Sequence, residues 1–443
     1  MSSSAYLTES RLDSSGGRDE LGLATALGRT PAGDVWNPQF FTGFLARPDV
    51  AAAALLTVAD VAGTRYVDLR AEASLRRSMD PVVTAGGDRL RFESFSLDNG
   101  VYARFDLHPD GIDSGDVRFG TTNVDVNQPL RTALASVGRA DLLHLSVGSD
   151  ELRVSTPDKS HLERQVPLPE RWVRGFAETP LLAQASTPVL ELSGPAVLAF
   201  LSGLPKASLP GPDLWLTPTP GGMRALPREL PGSVPLPGAL RLRAAQRIAR
   251  FATRLTVSRS ENGTTAWRFD LHGGSLTLML TAGAWRGFSG EGSLLMQLAH
   301  PEAETAGRIL TDHLAWQPLV DPDALVDATG LDRPTVDAGL AWLSATGRLG
   351  YDLAESQWFH RELPIDPDAA LRNSPRLRSA HRLVDTDALR RVSENAWTVR
   401  GTKATSYDVR HEGERWACTC AWDQEHHGMR GPCKHVLAAL LSK

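Results

Sequence analysis

Cysteine and lysine are scarce in this chain: three of the first and five of the second among 443 positions. So few cysteines, and an odd number, exclude the disulfide framework that staples small secreted domains. No apolar run approaches the roughly 20 residues that a bilayer-spanning helix requires. The segment Met1–Ser10 carries neither a basic stretch nor an apolar one, so it does not read as a secretion signal. Together these absences predict a cytoplasmic protein. Three signatures of catalysis are missing as well: a glycine-rich phosphate loop ending in Gly-Lys-Ser/Thr, a Gly-x-Ser-x-Gly elbow and a His-Glu-x-x-His helix. The expectation is a protein that is not an enzyme. One pairing could still serve acid–base chemistry: Asp106 with His108, and Asp270 with His272, each two residues apart on a strand. Repeated strand residues of this kind more often support structure.

A net charge of −5 argues against general coating of nucleic acid by the whole chain. Arginine supplies 42 of the 47 basic residues, the other five being lysine, in a composition rich in Ala, Gly, Leu and Pro that a GC-rich bacterial genome would impose. Arginine clusters are therefore weak evidence here. Two stand out. Arg243, Arg247, Arg250 and Arg254 would share one face of a helix predicted over 240–253, and Arg376, Arg378 and Arg382 precede the C-terminal segment with Arg390 and Arg391. Either could contact nucleic acid or an acidic partner, although a solvated arginine face in an arginine-biased composition is the simpler explanation of both.

The length suits roughly two to four domains. Residues 1–30, rich in Ser, Gly, Asp and Glu, read as a disordered tail. Residues 31–180 read as a β-rich α+β domain, with a helical run from Val50 and alternating strands near Leu90, Val101 and Leu142. Residues 181–300 read as a second α+β domain interrupted by a Pro/Gly-rich loop over 204–238. The string Arg-Phe-Asp-Leu-His occurs at 104–108 and 268–272, each time shortly after an Asn-Gly, which hints at duplication. Residues 301–364 read as a winged-helix-like domain. Asp321-Pro322 starts a short helix, Asp332 caps a longer one with Val336, Leu340 and Leu343 on one side, and a hairpin follows. That unit is acidic, and its third helix offers Arg333 alone, a poor reader of base edges. Residues 365–399 form a basic connector, and 400–443 the terminal module.

All three cysteines fall within that module, as Cys418-Thr-Cys420 and, after twelve intervening residues, Cys433-Lys-His435. In a strand, residues two apart share a face, so Cys418 and Cys420 can turn to one ion. Cys433 precedes an apolar helix, with His435 in its first turn. Three thiolates and one imidazole complete a closed tetrahedral shell, the structural kind of zinc site. His426 and His427, in the intervening polar loop, could compete with His435 for the fourth position.

The Cys-x-Cys…Cys-x-His spacing, the preceding hairpin and the apolar helix resemble the SWIM zinc finger over about residues 400–443. More diffusely, Asn37–Phe41, Phe359–Pro364 and Asn373–Leu377 resemble bacterial proteins of the SWIM family. The resemblance implies one structural Zn²⁺ and a target that is either a protein or DNA. It also implies an association with a MoxR-type AAA+ ATPase or a von Willebrand A-domain (VWA) protein, since genes for these often stand alongside. The full expectation is an α+β multidomain adaptor with a β-rich N-terminal half, a winged-helix-like segment and a SWIM-type finger of hairpin plus helix. The alternative is a DNA-binding regulator that uses the finger and the arginine faces. No membrane role is expected.

Overall fold

The computed structural model describes residues 5–6, 9–15, 19–36, 38–66, 80–148, 163–164, 168–204, 214–219, 222–236, 238–283, 285–365, 374–401, 405–413 and 415–442. Asn37 and Asn373, named above, lie outside these. The chain is a mixed α+β protein, β-rich and with several sheets.

Its centre is one ten-stranded sheet. In chain order the strands are β1 (Gly28–Thr30), β2 (Gly33–Val35), β3 (Val82–Gly86), β4 (Leu90–Phe95), β5 (Val101–Leu107), β6 (Phe119–Asn123), β7 (Thr187–Ser193), β8 (Arg254–Arg259), β9 (Thr265–Leu271) and β10 (Gly274–Leu280). Their order across the sheet is β7-β8-β9-β10-β5-β4-β3-β6-β1-β2. The join between the two halves is the antiparallel β5–β10 pair, from Val101 opposite Leu280 to Leu107 opposite Gly274. Residues on both sides of position 180 thus share one sheet and one core, in which Phe92 and Phe105 from one half meet Trp267, Phe269 and Leu276 from the other. A boundary at 180 separates nothing in the packing.

The repeated pentapeptide lands on β5 and β9, which flank β10 in equal register. Arg104 and Arg268 both stand opposite Thr277, and Asp106 and Asp270 both stand opposite Ser275. Directly opposed residues on neighbouring strands point to one face, so the repeat builds a polar stripe on a single side of the sheet.

An alanine-rich helix, α1 (Pro48–Ala62), lies against β4 and β5, and fourteen of its fifteen residues are buried. Small side chains allow that close approach. Residues 1–30, expected as a tail, contain strands instead. Asp19–Leu23 pairs in parallel with Leu143–Val147 inside a five-stranded sheet, with Leu21 fully buried. The segment's ordering partner lies more than 120 residues away, which local composition does not reveal. The Pro/Gly-rich stretch 204–238 likewise holds a three-stranded sheet, Leu214–Thr219 between Gly222–Leu226 and Val234–Leu236. Two of its prolines sit where missing N–H groups cost little: Pro235 is on an edge strand, and Pro218 lies beyond the reach of that edge strand.

The helix α2 (Glu170–Gln184) buries Trp172 and Phe176 against Phe95 of the sheet. A short helix α3 (Gly194–Ser202) follows β7. The later region contains α4 (Ala303–Thr311), α5 (Pro322–Thr329), α6 (Arg333–Ala345) and a hairpin of β11 (Leu349–Asp352) with β12 (Gln357–His360). The caps are the expected ones: the Asp321 side chain accepts from the Asp323 N–H, and Asp332 from the Thr335 N–H. This hairpin is held to the central sheet by buried ion pairs. Arg361 contacts both carboxylate oxygens of Glu93, at 2.7 and 2.9 Å, while the Tyr102 hydroxyl donates to Glu93 at 2.6 Å. Asp352 lies between Arg104 (3.3 Å) and Arg91 (3.6 Å). Among the described residues, no helix is long and apolar enough to cross a membrane.

The C-terminal part begins with α7 (Pro375–Asp385), capped by Ser374. A four-stranded antiparallel sheet follows: β13 (Leu389–Ser393), β14 (Ala396–Arg400), β15 (Ser406–Glu412) and β16 (Arg415–Cys418). Two helices complete it, α8 (Ala421–His426) and α9 (Lys434–Leu441). Leu377, Ala380 and Leu383 of α7 and Trp397 and Val399 of β14 share one core with Val436 and Leu437 of α9. Connector and finger are therefore a single packed unit, and no division falls at residue 400.

Candidate metal centre

The finger grows from local rules. Gly413, at φ +63°, lies between β15 and β16 and lets them pair from Val409 opposite Cys418 to Glu412 opposite Arg415. Cys418 ends β16, and Cys420 stands at the N-cap of α8, so the first ligand pair bridges a strand end and a helix start. The Asp423 carboxylate accepts from the Cys418 N–H at 2.8 Å and fixes that corner. Gly431, at φ +69°, turns the chain back toward Pro432. Cys433 is the N-cap of α9, its Sγ accepting from the Val436 N–H at 3.4 Å, and His435 sits in the first turn of the same helix.

The ligand atoms of Cys418, Cys420, Cys433 and His435 all lie within 4.8 Å of one another, and all four residues are buried. The Nδ1 of His435 lies 3.6 Å from the Cys418 Sγ and 4.0 Å from the Cys433 Sγ. Zinc bond lengths of about 2.3 Å to sulfur and about 2.0–2.1 Å to nitrogen, set at tetrahedral angles, place ligand atoms about 3.5–3.8 Å apart. The donor set fits one structural zinc ion, with Nδ1 as the inward nitrogen. The ring of Tyr407 stacks on His435 at 4.4 Å and holds its plane. The competing histidines are elsewhere: His426 packs edge-on to Trp422 at 4.3 Å, and His427 is an exposed residue at the end of α8.

One residue of the arginine clusters belongs to this site in a way its sequence position does not announce. Arg376 turns inward from α7, lies 4.7 Å over the Trp422 ring, and donates to the carbonyls of Arg430 (2.6 Å) and Pro432 (3.2 Å). It also reaches the Gly290 carbonyl, at 3.3 Å. Arg378 and Arg382 remain exposed, one turn apart on α7.

The other cluster does not form the expected face. Residues 239–247 and 249–251 are 3₁₀ segments, and Arg254 opens β8. With three residues per turn instead of 3.6, the i, i+4, i+7 spacing no longer aligns. Arg247 pairs with Asp60 at 2.9 Å, Arg254 with Asp270 at 2.6 Å, and Arg250 lies over Phe251, while Arg243 reaches Gln246. The Asp/His pairings are also tied down. Asp106 is held by Arg91 and Arg104, burial pushes the His108 pKa down, and the ring of His108 contacts the Ser275 hydroxyl at 3.2 Å. Asp270 is paired with Arg254 and Arg268, and His272 is exposed.

Sequence reasoning missed Glu178, which α2 buries beside the finger. Its carboxylate accepts from the N–H groups of Ser293 (2.7 Å) and Leu294 (3.3 Å). Burial pushes its pKa up to about 7, against the lowering effect of those two N–H groups and of Arg376. A glutamate in the middle of an amphipathic helix gives no signal of this.

Hairpin, paired cysteines, and a helix that opens Cys-x-His define a Cys₃His zinc finger. It is a SWIM zinc finger: residues 407–443 match that family. No curated protein matches the chain. Among solved structures, it is similar to the Proliferating Cellular Nuclear Antigen from Entamoeba histolytica, at 10 % identity and a TM-score of 0.35, over 55 % of this chain and 99 % of that one. A likeness at that level assigns neither fold nor function.

Proposed function

We propose that this is a zinc-stabilised adaptor of the cytoplasm, a binding protein and not an enzyme, whose finger and adjoining surface recognise a protein partner. The observation that carries this reading is an apolar rim where the finger meets the body. Trp285 is 72 % exposed, Met429 47 % and Met296 37 %. Met296 and Met429 line a groove of about 470 Å³ with Trp416 and Val436, and the Arg430 guanidinium lies 5.9 Å from the Trp285 ring. Exposed methionine and tryptophan side chains give a surface that re-packs around an apolar anchor. The groove's charged residues, Glu412, Asp423 and Arg415, give no positive footprint for phosphate. By the family resemblance, the partner class is a MoxR-type AAA+ ATPase or a VWA-domain protein. The winged-helix-like segment, acidic and ion-paired to the central sheet, serves in this reading as a rigid support.

The second reading, DNA binding, draws on exposed Arg378, Arg382 and Arg390. Two titrations separate the readings: zinc-loaded protein against the AAA+ ATPase, and against duplex and single-stranded DNA over a salt series. The adaptor account predicts saturable protein binding, weakened at least tenfold by Trp285→Ser with Met429→Glu. DNA binding that falls steeply with salt, with no response to the ATPase, would contradict it.

A further inference from the structure

The two pairs of zinc ligands are held in different ways. Cys433 and His435 stand at the start of α9, and the helix itself fixes them. The Cys433 Sγ accepts from the Val436 N–H at 3.4 Å, and its carbonyl from the Leu437 N–H at 3.1 Å. Cys418 and Cys420 instead straddle the bend between β16 and α8, a corner that no single element sets.

That corner is anchored from two sides. On the strand side, Thr419 lies between the two cysteines and exchanges two hydrogen bonds with Asp408. Its N–H donates to the Asp408 carbonyl at 3.1 Å, and its hydroxyl accepts from the Asp408 N–H at 3.0 Å. On the helix side the anchor is one carboxylate. Asp423, in the first turn of α8, reaches back to accept from the Cys418 N–H at 2.8 Å. β16 is an edge strand of its sheet, so an N–H on its open side meets no neighbouring strand among the described residues. Asp423 supplies the acceptor that a strand would have given.

We propose that Asp423 is a positioning residue of the metal centre, its carboxylate acting as the hydrogen-bond acceptor that orients Cys418 and so sets the affinity for zinc. Groups that orient a metal's ligands in this way are worth about 10–100-fold in affinity. The negative charge of Asp423 gives no such help. Three thiolates around one Zn²⁺ leave a net negative shell, which repels a carboxylate. Acceptor geometry is therefore the property that counts. Asp423 is only half-buried, at the wall of the groove beside Met429, so truncating it opens no hole in the core. The proposal rests on the four-ligand assignment and is independent of the partner reading.

The test is competition for zinc between the full-length protein and a chromophoric chelator, with the visible spectrum of each protein after cobalt substitution. Asp423→Ala should bind zinc about tenfold or more weakly than the parent, with shifted cobalt bands. Asp423→Asn keeps an acceptor oxygen and should stay within about threefold of the parent, with the parent's bands. If Asp423→Ala does not fold, Asp423→Ser carries the same expectation, because its hydroxyl is too short to reach Cys418. A role in stabilising α8 alone would lower melting in Asp423→Ala and leave affinity and spectrum unmoved, and that result would overturn the proposal. So would an Asp423→Asn variant as weak as Asp423→Ala, since charge would then be the active property. A parent that takes up no zinc would contradict the ligand assignment itself, and the proposal with it.

Discussion

The guanidinium of Arg376 lies 4.7 Å over the indole of Trp422, so that a helix of the expected connector clamps the zinc finger. The same side chain donates to the carbonyls of Arg430 and Pro432 in the finger and of Gly290 in the body. One residue thus ties three segments together. Replacing it with methionine removes this donor from the Arg430 and Pro432 carbonyls and ends its cation–π contact. The expected loss is about 2–4 kcal/mol, adding unsatisfied acceptors to the stacking contribution. Zinc content should be kept, while hydrogen exchange across 420–433 rises. Unchanged exchange there would remove Arg376 from this role.

Gly431 offers a second test of the same junction. Its φ of +69° disfavours any side chain, and a Cβ there would run into the carbonyl of Gly292. Gly431→Ala should therefore loosen the finger from the body without touching a zinc ligand, lowering the melting temperature by several degrees. An alanine variant that melts with the parent would contradict the close approach.

Arg361 and Glu93 are both almost fully buried, and each satisfies the other's charge between the residue after β12 and the central sheet. Arg361→Met leaves Glu93 buried, with Tyr102 as its remaining donor among these contacts. Breaking one side of a buried pair costs about 3–5 kcal/mol. Denaturant unfolding should show that loss, and Glu93→Gln in the same chain should restore part of it, since the residual charge is gone. A double variant as unstable as the single would argue against an electrostatic origin.

Glu178 makes stability depend on pH with a defined sign. Its folded-state pKa is raised to about 7 from an ordinary value near 4.5, so the folded protein holds the proton over that interval and the unfolded chain does not. The contribution is fully present below about pH 4.5 and is lost as pH rises through 7, on the order of 3 kcal/mol in total. Glu178→Gln should melt near the parent at pH 5 and above it at pH 8. Parallel melting curves for the two proteins across this range would dismiss the effect.

What the sequence disclosed follows from where the deciding interactions lie. The zinc ligands were legible because the chemistry needs particular residue types at short spacing, and every cysteine in the chain is one of them. The helices at Pro322 and Arg333 were legible because Asp321 and Asp332 cap them locally. Asp19–Leu23 was not, because its strand neighbour is Leu143–Val147. Nor was the single ten-stranded sheet, whose central pair joins Val101 to Leu280. The helix expected at 240–253 became 3₁₀ turns, and with it went the shared arginine face. The inward turn of Arg376 could not be told from the outward turn of Arg378 two positions later, because what separates them is the tertiary position of Trp422.

The central claim is that one zinc ion, bound by Cys418, Cys420, Cys433 and His435, folds the C-terminal unit around the core of Trp397, Val399, Val436 and Leu437. Its most direct test is native mass spectrometry for zinc on the parent and on Cys433→Ser, with thermal melting of both. The account predicts one zinc per chain in the parent, none retained at stoichiometry in the variant, and loss of the C-terminal transition with the metal. A variant that keeps its zinc and melts like the parent would contradict it.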